Sequence, residues 1–195
     1  MRRVLRRLEI IKDDVVQTKG QVACNISSGD ELLLTEMIFD NLLNKIEPAA
    51  LAALLTCFLS NEGSSGGKED DVKFEREFVL KDLYEKMKAS AKKIAAVLID
   101  SKIDITEEEY LDQFKHDYML PVYNWAQGKS FGEICEFEIY EGNLIRVIRR
   151  LDELIKELIE CAGLIGNTEL KENLEKASEL IRKGIPFAAS LYLSN

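Results

Sequence analysis

The sequence predicts an all-α fold: a helical bundle around one long central helix, preceded by a short N-terminal hairpin or linker. Apolar residues recur at intervals of three and four through most of the 195 residues, which is the spacing of helices that bury one face. The longest uninterrupted example lies in residues 140–165, whose seam is Leu144, Ile148, Leu151, Ile155, Leu158, Ala162 and Ile165. Extended runs occur near the N-terminus, and the sequence shows no internal repeat.

Two short elements are predicted at the N-terminus. Residues 1–11 form an arginine-rich amphipathic segment, typical of the tail of a helix from a preceding domain, with Val4, Leu5, Leu8 and Ile11 on one side. Residues 15–17 and 21–24 are extended runs on either side of a glycine. We therefore predict a small hairpin or extended linker with its turn at residues 18–20.

Two helices follow, and each has its own start signal. Ser28 or Asp30 caps the first helix, which is predicted to continue to Ile46. Pro48 begins the second helix, which covers residues 49–60, because proline is tolerated in the first turn of a helix.

The middle of the chain combines a flexible segment with a longer helix. Residues 61–71, NEGSSGGKEDD, are rich in glycine, serine and charge and are predicted to be flexible. The helical pattern resumes in residues 72–101, whose predicted buried side is Phe78, Leu83, Met87, Ile94, Val97 and Leu98.

A capping box, in which a Ser or Thr and a Glu three residues later exchange hydrogen bonds, marks the next helix start. Thr106 and Glu109 fit this pattern and begin a helix that is predicted to reach Gln127. Pro121 lies inside it and is expected to kink it, because proline cannot donate the backbone hydrogen bond.

The last third contains the long helix and one more. Ser130 and Glu133 form a second capping box, which begins a short helix over residues 131–137 that turns into the long helix. The asparagine and threonine at 167–168 are alternative caps for a final helix that continues to Lys183.

Composition and charge limit the classes of partner. The chain carries 26 Lys and Arg against 35 Asp and Glu, a net charge of -9, which argues against a free-standing domain that binds nucleic-acid phosphates. The longest apolar run, residues 49–59, is shorter than the roughly 20 residues of a membrane span, and no secretory signal precedes it. We expect an intracellular protein with no membrane partner.

Motifs of catalysis and metal binding are absent from the sequence. The four cysteines form no C-x-x-C pair, and the single histidine, His116, has no second histidine or nucleophile motif beside it. No G-x-S-x-G, H-E-x-x-H or complete phosphate loop occurs. This segment is therefore expected to hold no metal and to catalyse nothing alone.

Two stretches are candidates for binding. Residues 130–150 resemble a helix-turn-helix, but the second helix would present Glu141, Gly142 and Asn143 to DNA, and a carboxylate at the reading end of an acidic protein disfavours duplex DNA. The second candidate is a polar stripe on the long helix, formed by Arg146, Arg150, Glu153 and Glu157.

The stripe has two interpretations. It is either a solvated face tied by side-chain pairs worth about 0.2–0.5 kcal/mol each, or the lining of a groove for a ligand. Arginine planes stack on unpaired bases and glutamate accepts hydrogen bonds from exocyclic amines, so the second interpretation predicts single-stranded nucleic acid.

Several stretches, in order along the chain, resemble one known family, the DSHCT domain. They are ISSGDELLLTE (26–36), AALLTCF (52–58), YNWAQG (123–128), YEGNLIR (140–146), RLDEL (150–154), IGN (165–167) and FAASLYL (187–193). The DSHCT domain is the C-terminal helical bundle of exosome-associated DExH-box RNA helicases. The SLYL ending and the IGNT run look more like the nuclear TRAMP-complex helicase than its cytoplasmic superkiller relative.

The resemblance implies specific RNA-binding residues. In this family the long helix acts as a ratchet that touches RNA bases, and the matching positions are Arg150, Glu153 and, after the Cys57-Phe58 match, Glu62. Arg146, one turn earlier on the stripe, completes the predicted set. One residue is missing around 137–139 relative to the family pattern.

The resemblance also implies the organisation of a longer protein. Residues 1–26 would be the end of a winged-helix domain and a connecting hairpin, and residues 27–195 the DSHCT bundle. The parent would be an ATP-dependent 3'-5' RNA helicase that unwinds RNA and threads it into the exosome for nuclear RNA processing and decay. ATP and Mg would bind upstream, in its motor domains.

The implied partners are single-stranded RNA, the parent's motor domains, the RNA exosome and TRAMP-type subunits, with no membrane and no duplex DNA. The implied location is nuclear, in nucleolus or nucleoplasm, or cytoplasmic for a superkiller-type protein. Two alternatives stay open: a protein-interaction module that docks subunits of a helicase complex, and a helix-turn-helix DNA binder.

Overall fold

The computed structural model describes residues 1–59, 73–74, 77–134 and 141–183. Within these residues the elements are α1 (Arg2–Arg7), β1 (Ile11–Lys12), β2 (Val15–Val16), α2 (Thr18–Cys24), α3 (Glu31–Phe39), α4 (Pro48–Leu55), α5 (Phe78–Asp100), α6 (Glu107–Leu111), α7 (Met119–Ala126), α8 (Phe131–Ile134), α9 (Glu141–Leu164) and α10 (Thr168–Arg182). The predicted all-α bundle is confirmed. The predicted flexible segment, 61–71, lies outside the described residues.

The short helix α4 lies at the centre of the bundle. Its sequence, PAALAALL, is apolar on every side, and all residues from Ala49 to Leu55 are buried, as expected for a helix surrounded by others. It contacts α5, α7, α9 and α10. Pro48 occupies its first turn as predicted, where no backbone N–H is needed.

The N-terminal hairpin exists, but its predicted turn is wrong. β1 pairs antiparallel with β2, placing Ile11 opposite Val16, and the turn is Asp13-Asp14, both in the left-handed region at φ 49° and 63°. Aspartate tolerates that conformation, and Asp14 also forms ion pairs with Arg2 at 2.6 Å and Arg6 at 3.0 Å. Residues 18–20, predicted as the turn, instead begin α2.

Helix α3 ends earlier than predicted. Asp30 is its cap, since its Oδ1 accepts a hydrogen bond of 2.8 Å from the N–H of Leu33. The helix stops at Phe39 rather than continuing to Ile46, because Asn41 turns into the left-handed region at φ 56°. Asparagine is one of the few residues that end helices in this way.

Helix α5 is rotated from its predicted phase at the N-terminal end. Its seam is Leu80, Tyr84, Met87, Ala91, Ile94 and Leu98, all buried. Phe78, predicted to be buried, is 80% exposed. It precedes Leu80 by two positions, which turns it about 200° away from the seam.

The segment from Thr106 to Gln127 forms two helices, not one kinked helix. The capping box of Thr106 and Glu109 is confirmed and opens α6, which ends at Leu111. Pro121 lies in the first turn of the separate helix α7. Its missing N–H costs nothing there, so proline marks a helix start rather than a kink.

The long helix α9 and the helix α10 close the bundle. Every predicted seam residue of α9 from Leu144 to Ala162 is fully buried, and Ile165 beyond it is half-buried. Gly166, at φ 70°, supplies the left-handed turn after α9. Asn167 then caps α10 by accepting a 3.1 Å hydrogen bond from the N–H of Leu170.

The close approach of α2 to the hairpin gives a testable prediction. A Cβ on Gly20 would lie 2.6 Å from the carbonyl oxygen of Ile10 and 2.7 Å from Cγ1 of Val16. Gly20→Ala should therefore lower the free energy of unfolding by about 1–3 kcal/mol, since backbone must move. Denaturant titration followed by circular dichroism measures the change.

Gly163 in α9 is the matched control. A Cβ there meets nothing within 4 Å, so Gly163→Ala should raise the free energy of unfolding by about 0.5–1 kcal/mol through helix propensity. Equal effects at the two glycines would contradict this account of Gly20.

Candidate nucleic-acid interface

Three of the predicted RNA-binding residues lie together on the exposed face of α9. Arg146, Arg150 and Glu153 are all exposed, and intervals of four and three residues place them on one side of the helix. The opposite side of α9 is the buried seam. The charged side chains therefore project from a helix of 24 residues that is supported along its length.

Arg146 lies closest to the start of α9 among these three residues and acts on Tyr118, which precedes α7. Burial and the neighbouring Asp117 raise the pKa of Tyr118, and the positive charge of Arg146 partly offsets this rise. The surface therefore extends from α9 towards the residue that precedes α7.

A third arginine, which the predicted stripe did not include, lies on this surface. Arg149 is exposed and lies about 100° around the helix from Arg150. Glu153 lies between these two arginines around the helix axis. The signal in the sequence is the adjacent pair Arg149-Arg150, which places positive charge on both sides of Glu153.

Glu157, the fourth residue of the predicted stripe, is engaged by the rest of the fold. Its Oε1 accepts hydrogen bonds from the hydroxyls of Ser27 at 2.5 Å and Ser28 at 2.8 Å. Its Oε2 accepts from the backbone N–H groups of the same two residues, both at 3.0 Å. Partial burial favours a higher pKa, but these bonds outweigh it and hold the pKa of Glu157 below its usual range.

The loop that receives Glu157 is itself fixed. Asp30, at the end of this loop, accepts a hydrogen bond of 3.0 Å from the hydroxyl of Tyr110 in α6. Gly29 allows close contact, since a Cβ there would lie 3.3 Å from Cβ of Phe58 and 3.5 Å from Cδ1 of Leu154. The loop therefore joins α9 to α3 and α6.

A second carboxylate anchors the other side of α9. Asp152 is 2% exposed and binds Arg182 of α10 through two hydrogen bonds of 2.8 and 3.0 Å. Ser178 and Lys156 also contact it, at 3.1 and 2.7 Å. Burial favours a higher pKa for Asp152, but its bonds to Arg182, Lys156 and Ser178 prevail and lower it.

Two predicted features fall outside the described residues. Glu62 is one, so its position relative to α9 is not described. The other is the turn of the helix-turn-helix interpretation, together with the predicted end of the short helix at residue 137, because residues 135–140 are not described.

The described part of the chain contains neither a metal-binding cluster nor a membrane-spanning helix. No group of three or more His, Cys, Asp or Glu side chains there could hold a metal ion. His116 stacks on Phe74 with ring centroids 4.3 Å apart, as a histidine that packs between helices does. No helix in that part combines the length and apolarity needed to cross a bilayer.

The fold and this surface define a helical-bundle domain with one long, charged surface helix. The chain belongs to the DSHCT (NUC185) domain family, whose profile matches residues 13–188. The resemblance seen in the sequence is thereby confirmed.

Similar proteins are RNA helicases. The chain is 46% identical over 194 residues to the ATP-dependent RNA helicase mtr4 of Schizosaccharomyces pombe and 44% identical over 194 residues to the Exosome RNA helicase MTR4 of Homo sapiens. It is 39% identical over 198 residues to the Antiviral helicase SKI2 of Saccharomyces cerevisiae. These alignments cover 96–98% of this chain but 15–18% of the relatives, so the chain spans less than a fifth of their length.

The hydrogen bonds of Glu157 predict a pH dependence of stability. The folded pKa is lowered, so this group contributes stability above its unfolded pKa of about 4.3, which is lost as the pH falls through the lower folded pKa. Glu157→Gln should reduce the free energy of unfolding by about 1–2 kcal/mol at neutral pH, and by less at about pH 3. Denaturant titrations at both pH values measure this difference.

Glu160 provides the control, because it is exposed on the same helix. Glu160→Gln should change the free energy of unfolding by less than about 0.5 kcal/mol at either pH. A Glu157→Gln effect that is the same at both pH values would contradict the ionic origin of the stabilisation.

Proposed function

We propose that this chain is the RNA-guiding bundle of an ATP-dependent DExH-box RNA helicase, in which the exposed face of α9 touches single-stranded RNA. The observation that carries the proposal is the juxtaposition of Arg146, Arg150 and Glu153 on a helix whose other side is buried. The relatives named ATP-dependent RNA helicase and Exosome RNA helicase support it.

The chemistry of this face suits bases more than phosphates. Guanidinium planes stack on unpaired bases and donate to their acceptors, while the carboxylate of Glu153 accepts from exocyclic amines. Such contacts are tolerant of sequence, because every base offers a flat face. A strand of any sequence could then pass along α9, held by contacts that form and break as it moves.

The remaining functions belong to the proposed parent. Residues 1–26 would end a winged-helix domain and connect it to the bundle, residues 27–195. Motor domains elsewhere in the parent would bind ATP and Mg and make most of the phosphate contacts, and Glu62 would join the RNA-binding set.

The name Exosome RNA helicase supports a role with the exosome, and the family resemblance implies the location and the direction of unwinding. A parent of the MTR4 type would unwind RNA in the 3'-5' direction and thread it into the exosome, with TRAMP-type subunits as partners, in the nucleus. A parent of the SKI2 type would be cytoplasmic.

Substitution of Arg150 in the full-length helicase tests the proposal. Arg150→Ala should remove roughly 1 kcal/mol of base contact and slow duplex unwinding about fivefold. ATP hydrolysis stimulated by RNA should fall less than about twofold, because the motor domains are untouched. Strand-displacement and ATPase assays on the same preparation measure both quantities.

Lys93→Ala is the control, since Lys93 is exposed on α5, away from α9, and carries the same charge. Unwinding by both variants at the native rate would contradict the proposal. If unwinding is native but a subunit is lost in pull-down experiments, the bundle is a protein-interaction module instead.

A further inference from the structure

Glu157 on the exposed side of α9 has hydrogen bonds that RNA contact does not explain. Glu157 lies on the same stripe as Arg150 and Glu153, seven and four residues further along. Both of its oxygens are already occupied by four donors from Ser27 and Ser28. A carboxylate with four hydrogen bonds has little capacity left for an exocyclic amine.

We infer that Glu157 is a positioning residue: its hydrogen bonds to Ser27 and Ser28 fix the rotation of α9, so that Arg150 and Glu153 face the RNA. This inference rests on the proposed function. It assigns Glu157 to the support of the RNA-binding face rather than to that face.

Three consecutive turns of α9 contact the same stretch of chain. Leu154 lies against Gly29, Glu157 binds the two serines, and the thiol of Cys161 lies 3.6 Å from the carbonyl oxygen of Val22. These contacts form a line along one edge of the exposed face, between α9 and the end of α2 and the loop before α3. Among them, the bonds of Glu157 are directional and charge-assisted, so they resist rotation more than apolar contacts do.

The geometry links this line to the RNA-binding residues. Arg150 lies about 10 Å from Glu157 along the helix axis and within about 20° of it around the axis. If α9 turns about its axis at Glu157, Arg150 and Glu153 therefore turn through a similar angle and their side chains move sideways. Asp152 anchors the opposite edge to α10, so loss of Glu157 leaves its own edge of α9 held only by the weaker contacts of Leu154 and Cys161.

The test compares four forms of the full-length helicase. They are Glu157→Gln, the pair Ser27→Ala with Ser28→Ala, the combination of all three changes, and Glu175→Gln as the control on the exposed side of α10. Unwinding rate, RNA-stimulated ATPase rate and thermal midpoint are measured for each, with both rates taken well below the midpoint.

Glu157→Gln should slow unwinding about threefold to tenfold while ATPase changes less than about twofold, so more ATP is used for each duplex unwound. The serine pair removes only the two hydroxyl donors and keeps the two backbone N–H donors, so it should slow unwinding in the same direction but less. The combination should be no worse than Glu157→Gln alone, because the serine hydroxyls act only through Glu157. Glu175→Gln should match the native protein.

Three results would overturn the inference. Unwinding and ATPase that fall together, in proportion to lost folded protein, would show a purely structural role for Glu157. Additive effects of Glu157→Gln and the serine pair would show that they act separately. Native unwinding in Glu157→Gln, with slow unwinding in Arg150→Ala, would remove the positioning role while leaving the proposed function intact. Native unwinding in Arg150→Ala would remove the proposed function itself.

Discussion

The burial of the apolar seam of α9 is the constraint on which the rest of the structure depends. Seam residues such as Leu144, Ile148 and Leu158 are fully buried, and each contributes roughly 1.5–3 kcal/mol relative to an exposed side chain. Helix α9 contacts α4, the apolar helix at the centre of the bundle, and also α7 and α10, which pack against α4. Because one side of α9 must face this centre, the opposite side must face solvent, and its arginines and Glu153 are exposed as a consequence.

The hydrophobic seam determines which side of α9 is buried, but it fixes the rotation of the helix about its own axis only approximately. Apolar contacts are non-directional, and a helix can turn by some degrees without losing much buried area. The two flanking carboxylates remove this freedom, since their hydrogen bonds have narrow distance and angle ranges. Asp152 is buried and Glu157 is half-buried, and both remain ionised because donors replace the water they lose.

Features encoded within a few residues were predictable from the sequence. The seam of α9, the cap at Asp30, the start at Pro48 and the capping box of Thr106 each depend on neighbours within one or two turns, and each is confirmed. The effect of Pro121 on the helix was not predictable, because a proline can either interrupt a helix or occupy its first turn. The chain leaves the helical conformation after Leu111 and re-enters it at Met119, so Pro121 falls in a first turn.

Features that join distant parts of the chain were not predictable. The partner of Val15-Val16 is Ile11-Lys12 rather than residues 21–24, because two aspartates accept the left-handed turn. The donors that bind Glu157 lie 129 and 130 residues away, and nothing in the spacing of the stripe distinguishes this glutamate from Glu153. Sequence pattern identified the charged side of α9, whereas the fold decides which charges stay on its surface.

The distribution of charge on α9 makes the proposed RNA contact compatible with an acidic chain. The net charge of -9 is spread over the whole chain. Salt screens the effect of distant charges on a ligand, since the Debye length is about 8 Å at physiological ionic strength. At the surface of α9 the local balance is different: Arg146, Arg149 and Arg150 surround Glu153, and the carboxylate of Glu157 is bound by its four donors from Ser27 and Ser28. In the proposed function, a strand would meet three arginines around one carboxylate at this end of α9, while the acidic remainder of the bundle would discourage phosphates from binding elsewhere. Weak, local attraction of this kind suits a strand that must keep moving, because tight phosphate binding would hold it in place.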